Sequence, residues 1–248
     1  MPLKLVISLL VATSSLAGAA LADEAKTPKG VVELFTSQGC ASCPPADIAL
    51  KKLVEQGDVV ALAYHVDYWN YLGWADTLGS KENTERQYAY ARSLGRSNVY
   101  TPQAVINGRD HMSGADLDAL NRKLDSLKGA GKGLVVDVSA SLKGDELAID
   151  VAEGKGKANV VVVYFDRGKY VSVESGENTG QKIPYWHSVT DIQTVGMWDG
   201  SKLGLTLPAN MLGSNKKHGC AVLLQAAGRG GEPGPILGAA VVEPQKQP

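Results

Sequence analysis

Cysteine is scarce, with three residues in a chain of 248. That is too few for a scaffold built on disulfides, and the odd count divides into one pair and one single thiol. A second metal-ligand pair is missing as well. A structural zinc site takes four ligands, and the lone C-x-x-C, Cys40 to Cys43, has no second C-x-x-C or H-x-x-x-H segment to complete it. Charge of one sign is also absent: Lys4 is the only charged residue before Asp23, and beyond it 24 cations face 26 anions. Such a balance excludes nucleic acid and an anionic membrane surface as partners. No apolar run reaches the ~20 residues of a spanning helix, so stable membrane insertion is not expected. Internal repeats and low-complexity tracts are lacking too.

What is present begins with a leader. MPLKLVISLLVATSSLAGAALADEA carries one cation, an apolar run from Leu5 to Leu16, and Ala20-Leu21-Ala22 in the small-x-small pattern that a signal peptidase accepts. Residues 1–22 are therefore expected to be a cleavable signal peptide, giving a periplasmic or secreted protein.

Two composition regimes follow. In the first, VVELFTS reads as a strand, ADIALKKLVEQ as a helix stopped by Gly57, and DVVALAYHV as a second strand, joined in parallel through a right-handed crossover. A helix is expected over Glu82 to Leu94, then two short extended pieces around Asn107-Gly108, a dipeptide suited to a tight hairpin turn. Leu117, Leu120, Leu124 and Leu127 mark one face of a further helix, with Ser113 and Asp116 as a weak capping box. The order is β-α-β-α-β-β-α over residues 29–129. After the GAGKG connector the pattern turns to alternation and to apolar runs such as NVVVVYF, CAVLLQAA and ILGAAVV, so residues 133–243 are expected to form an all-β, sandwich-like domain.

The chemistry lies in LFTSQGCASCPPAD. A strand running into C-x-x-C and then a helix sets the first sulfur near unpaired backbone N–H groups, which favour a thiolate. Cys40 is thus the candidate nucleophile, expected to be accessible and ionised near neutral pH, and Cys43 the thiol that resolves a mixed disulfide. A purely structural staple of such short span constrains the unfolded chain little. Cu(I) is the rival ligand, through Cys40, Cys43 and His65, because thiolates and imidazole suit it. Proline disfavours the helical conformation in the residue before it, so Cys43 and Pro44 are expected to resist αR and the helix to begin near Pro45, leaving Cys40 further outside it. Cys220, in an apolar strand, reads as a buried inert thiol.

The element order, the C-x-x-C after the first strand and Thr101-Pro102 before the third together resemble the thioredoxin fold. VELFTSQGCASCPPAD, HVDYWNYLGW and YTPQAVINGR, with GENTGQKIPYW less specifically, resemble an exported family of unknown function, DUF1223, in which such a domain precedes a β-rich one. The thioredoxin resemblance implies a redox-active Cys40–Cys43 disulfide with no cofactor, a cis-proline at Pro102 beside it, and Thr101 offering its backbone to a bound peptide. It also makes Glu33 a candidate for the buried acid that moves protons, against an ordinary paired glutamate. The sequence departs from thioredoxins in Ala41-Ser42 between the cysteines, in lacking a tryptophan just before Cys40, and in a longer span to Pro102.

Sites form at the carboxyl edge of parallel strands, where DVVALAYHV delivers His65, Asp67, Tyr68 and Trp69, followed by Trp74. His65 is placed to tune the thiolate, and Tyr68, Trp69 and Trp74 to line a substrate surface or to dock the second half. Tyr185-Trp186-His187, with Glu177 and Asn178, are candidates to reach the same edge from the β-rich half. The reading is an exported thiol-disulfide exchange protein acting on a protein or small-molecule thiol or disulfide. Its alternatives are a copper-binding protein using the same cysteines and a non-catalytic binding module on the same fold.

Overall fold

A computed structural model describes residues 27–209 and 218–242; the expected signal peptide lies outside them. The first half runs β1 (Val31–Thr36), α1 (Pro44–Gln56), β2 (Val60–His65), α2 (Lys81–Ser93), β3 (Gln103–Ile106), β4 (Asp110–Ser113) and α3 (Leu117–Gly129). β1 and β2 pair in parallel, whereas β1–β3 and β3–β4 are antiparallel. Local signals set these boundaries. Gly57 ends α1 in the left-handed conformation and returns its N–H to Leu53 O. Asn107 and Gly108 both take positive φ in the β3–β4 turn. A side chain at Gly108 would also meet Gly234 O, so glycine is required there twice over.

Two expectations need correction. α1 begins at Pro44, with Cys43 as its N-cap residue at φ −80° and ψ −35°, so the proline after it does not keep Cys43 out of αR. α3 is capped by Asp116, whose Oδ1 accepts the Ala119 N–H, and not by a box starting at Ser113, which ends β4.

The second half supplies β5 (Val138–Lys143), β6 (Glu146–Val151), β7 (Ala158–Ser172), β8 (Lys182–Trp198), β9 (Leu203–Pro208), β10 (His218–Ala227) and β11 (Pro233–Val242). The architecture is mixed α/β with one eight-stranded sheet, in the order β11-β10-β7-β8-β2-β1-β3-β4, and a three-stranded sheet, β5-β6-β9. The expected pair of stacked β layers is there, but one layer is continuous with the sheet of the first half, joined where Ala63 of β2 pairs with Ser188 of β8. This continuity explains the unbroken apolar run of β7. Val161, Val163 and Phe165 face one core, and Val160, Val162 and Tyr164 face the small sheet.

Strand alternation divides the first half in the same way. Val31, Phe35, Leu62 and Tyr64 point to the α2 face, while Val32, Leu34, Ala61 and Ala63 pack on α1 and α3. At burial worth about 1.5–3 kcal/mol per large apolar side chain, these cores fix the register, since a slip of one residue would invert both faces. The sheet rolls so that its two sides meet, with Ile236 N–H donating to Asn107 O at 2.9 Å.

Candidate functional site at the Cys40–Cys43 disulfide

β1 ends at Thr36, and Ser37-Gln38-Gly39 carries the chain to Cys40 at the mouth of α1. Cys40 and Cys43 are joined by a disulfide. The turn between them is closed by the Cys43 N–H on Cys40 O at 3.1 Å. The expected helix N–H groups do not serve Cys40. Pro44 and Pro45 have none, and the Ala46 and Asp47 N–H groups both bond to Cys43 O. The polar neighbour of the Cys40 sulfur is instead Ser42, with Oγ 3.5 Å from Sγ and an exposed side chain.

Exposure is the second correction. The expected accessible nucleophile is 2% exposed as Cys40, and Cys43 is 0% exposed. Two segments pack on the cysteine loop. The loop after β2 packs Trp69 against Gly39, with Trp69 Nε1 donating to Thr101 Oγ1 at 2.8 Å. From the second half, the turn between β7 and β8 brings Asn178, whose Nδ2 donates to Gln38 O at 2.9 Å and Cys40 O at 3.0 Å. The Thr101–Pro102 bond is cis, and pairing of Phe35 with Gln103 sets it beside the end of β1.

Joined to the cysteine loop through the Gln38 N–H is a buried polar cluster on the α1 face. His65 Nδ1 is 2.8 Å from Asp76 Oδ2, an oxygen that also accepts the Gln38 N–H at 2.7 Å. Burial pushes the Asp76 carboxyl up, but attraction to His65, its hydrogen bond, and the N–H groups of Gln38 and Leu78 together hold it below the usual carboxylate range. Asp47, four residues after Cys43 on α1, accepts the Thr36 hydroxyl at 2.8 Å. Burial, reinforced by repulsion from Asp76, raises Asp47 well above the usual range against the opposing Thr36 bond. Tyr185 stands edge-on to the His65 ring, and burial, with the Asp47 and Asp76 charges nearby, raises its hydroxyl too. His65 Nε2, Asp47 Oδ2 and Tyr185 Oη are all buried without a hydrogen-bond partner.

The remaining candidates divide between the site and elsewhere. Trp69, Thr101 and Pro102 border it, and Trp74 Nε1 donates to Gln38 Oε1 at 2.8 Å. Tyr68 donates to Gln87 Oε1, and Asp67 accepts the Thr84 hydroxyl, so both brace α2. Glu33 is not beneath the cysteines. It alternates with Val31 and Phe35 onto the α2 face, where Arg86 Nη2 lies 2.7 Å from its Oε1 and Tyr90 donates to Oε2. This matches the paired-glutamate alternative. Trp186 turns to Lys51 and Tyr170, and His187 to Ala61 O and Phe165. Cys220 is fully buried, and burial pushes its thiol to about 12. Among the described residues no group of three or more His, Cys, Asp or Glu is arranged to hold a metal ion. Asp47 was missed by the sequence reading, although its i, i+4 spacing from Cys43 was the available signal. Asp76 carried no such signal.

A C-x-x-C disulfide on a mixed α/β sheet defines the structural class, and the comparisons give the family. Residues 31–225 match the family described as protein of unknown function, DUF1223, and the chain belongs to it. The X-ray crystal structure of protein AGR_C_4864 from Agrobacterium tumefaciens is similar at 57% identity and a TM-score of 0.83, covering 90% of this chain and 97% of that one. HBP35 of Porphyromonas gingivalis matches at 14% identity and a TM-score of 0.66, covering 88% of this chain and 75% of its own, a likeness of fold alone. No curated protein matches the chain.

Proposed function

We propose that the protein is an exported thiol-disulfide exchange protein with a thioredoxin-like first half, acting on a protein or small-molecule thiol or disulfide. The observation that carries this reading is the Cys40–Cys43 bond at the mouth of α1, with a desolvated carboxyl, Asp47, one turn along the same helix. A partner thiolate attacks Cys40 Sγ, the Cys40–Cys43 bond breaks, and Cys43 leaves as a thiolate that takes a proton from Asp47. A second partner thiol, deprotonated, attacks the partner sulfur of the mixed disulfide. The partner disulfide forms, Cys40 leaves as a thiolate hydrogen-bonded by Ser42, and two electrons have passed to the protein. Run in reverse, Cys40 is the nucleophile, Cys43 resolves, and a partner disulfide is reduced.

Insulin reduction and oxidative refolding test the reading, with Cys40→Ser and Cys43→Ser as controls. Cys40→Ser abolishes turnover, and Cys43→Ser accumulates the mixed disulfide; equal turnover by all three proteins overturns it. Burial of both cysteines favours one rival, a non-catalytic binding module whose disulfide is permanent. Equilibration against glutathione separates the two. A catalytic pair titrates within the compartment's range, whereas a permanent staple stays oxidised throughout it.

A further inference from the structure

The geometry points to the β7–β8 turn, residues 173–181, as a gate over Cys40, with Asn178 as its latch. The inference rests on the exchange reading, in which a thiolate must reach Cys40 Sγ, and with the turn in place Cys40 is 2% exposed. Asn178 is itself 1% exposed, and both of its contacts through Nδ2 go to backbone carbonyls of the cysteine loop, Gln38 O and Cys40 O. Its Oδ1 accepts Gln181 Nε2 at 3.0 Å, which fixes the amide orientation. Cys40 O takes the Cys43 N–H as well, so one carbonyl joins the latch to the turn that holds the disulfide.

Three further contacts hold the turn: Ser175 Oγ donates to Gly73 O at 2.6 Å, Gly176 lies close against Leu72 O and Trp74, and Val173 packs with Ile183 and Tyr185 against Trp74 and Leu78. Glu174, Ser175, Glu177, Thr179, Gly180 and Gln181 are exposed. A segment with one buried apolar side chain and hydrogen bonds that water can replace belongs to the low-stability end of a fold and opens without global unfolding. Asn178 is a positioning residue in this scheme, acting on the cysteine loop through its backbone.

The test measures reduction of the internal disulfide in the oxidised full-length protein by excess dithiothreitol, followed by alkylation and mass, at rising sub-denaturing urea. For the wild type the rate stays nearly flat in urea, as local opening requires. Asn178→Ala raises it roughly thirtyfold, the effect of losing two hydrogen bonds that net about 1 kcal/mol each at about 1.4 kcal/mol per tenfold. Asn178→Asp exceeds Asn178→Ala at neutral pH, because a carboxylate then faces two carbonyl oxygens, and Met197→Ala, on the exposed far part of β8, leaves the rate unchanged. Equal rates in the wild type and both Asn178 variants overturn the gate. So does a wild-type rate that climbs with urea at the slope of global unfolding. Because dithiothreitol is the only partner, failure of insulin turnover with these rates as expected would remove the exchange reading and leave the gate standing.

Discussion

The rolled sheet buries a polar cluster on each face, and the two are built differently. On the α2 face Glu33 receives Arg86 and Tyr90, Arg86 also reaches Gln225 Oε1 at 3.0 Å, and Gln225 Nε2 returns to Tyr90 Oη at 2.8 Å. Glu33, Arg86, Tyr90 and Gln225 are each answered, although Tyr64 Oη beside them is buried without a partner, and Gln225 on β10 ties the second half to the first. On the α1 face His65, Asp47 and Tyr185 each keep a buried polar atom without a partner. A satisfied network stiffens a core; an unsatisfied one destabilises it, and persists where chemistry uses it. On the exchange reading, the charge-paired α2 cluster is a structural bolt and the α1 cluster, with three unpartnered atoms, belongs with the disulfide.

The comparison breaks most visibly at Glu33. Glu33→Gln leaves the Arg86 charge buried and unpaired, and a loss of about 3–5 kcal/mol is expected in urea denaturation. Replacing both partners, Glu33→Leu with Arg86→Met, should recover much of that loss. If the single and double variants are equally unstable, the cluster is not a charge-paired bolt.

Asp47 should behave in the opposite sense. Its folded-state pKa is raised, so from about pH 4 upward the unfolded chain releases a proton that the folded chain keeps, and stability falls as pH rises towards the folded pKa. Asp47→Asn removes this loss. The variant should gain on the wild type by up to about 1.4 kcal/mol per pH unit in that window and match it in acid. Parallel stability profiles for the two proteins between pH 4 and 8 would contradict a protonated Asp47.

Two tyrosines sharpen the contrast. Tyr90→Phe removes a hydroxyl bonded to Glu33 and is expected to lose about 1.5–3 kcal/mol, the range for hydrogen bonds to charged groups. Tyr185→Phe removes a hydroxyl that bonds nothing and should be neutral or stabilising by about 1 kcal/mol or less. Thermal denaturation of the two variants side by side reads the sign, and equal losses would erase the distinction between the faces.

Much of the first half was legible because its signals are local. Gly57, Asn107-Gly108 and the Leu120, Leu124 and Leu127 stripe act within a few residues, and the fold honours each. The site was legible at Cys40 and Cys43 and less so around them. Glu33 drew attention as a proton-moving acid by resemblance, yet strand alternation sends it to the α2 face, and the buried carboxyl on the helix that carries Cys43 is Asp47. The helix-dipole argument for Cys40 failed at the two prolines, whose missing N–H groups are a plain feature of the sequence. Asn178, a candidate for this edge from the sequence, lies 138 residues from the carbonyl it holds at Cys40, and no local pattern specifies that contact.

By itself the sequence determined the cysteine pair, the helices and strands that flank it, and the change from crossover to β-rich architecture, because propensity, alternation and turn chemistry depend on near neighbours. Only the tertiary structure decided that the strands of both halves share one sheet, which carboxyl is stripped of water, and that the disulfide is covered. Burial and charge environment depend on what the rest of the chain packs against a residue, and here the neighbours include Asp76 and Trp69 from the loop after β2 and Asn178 and Tyr185 from the second half.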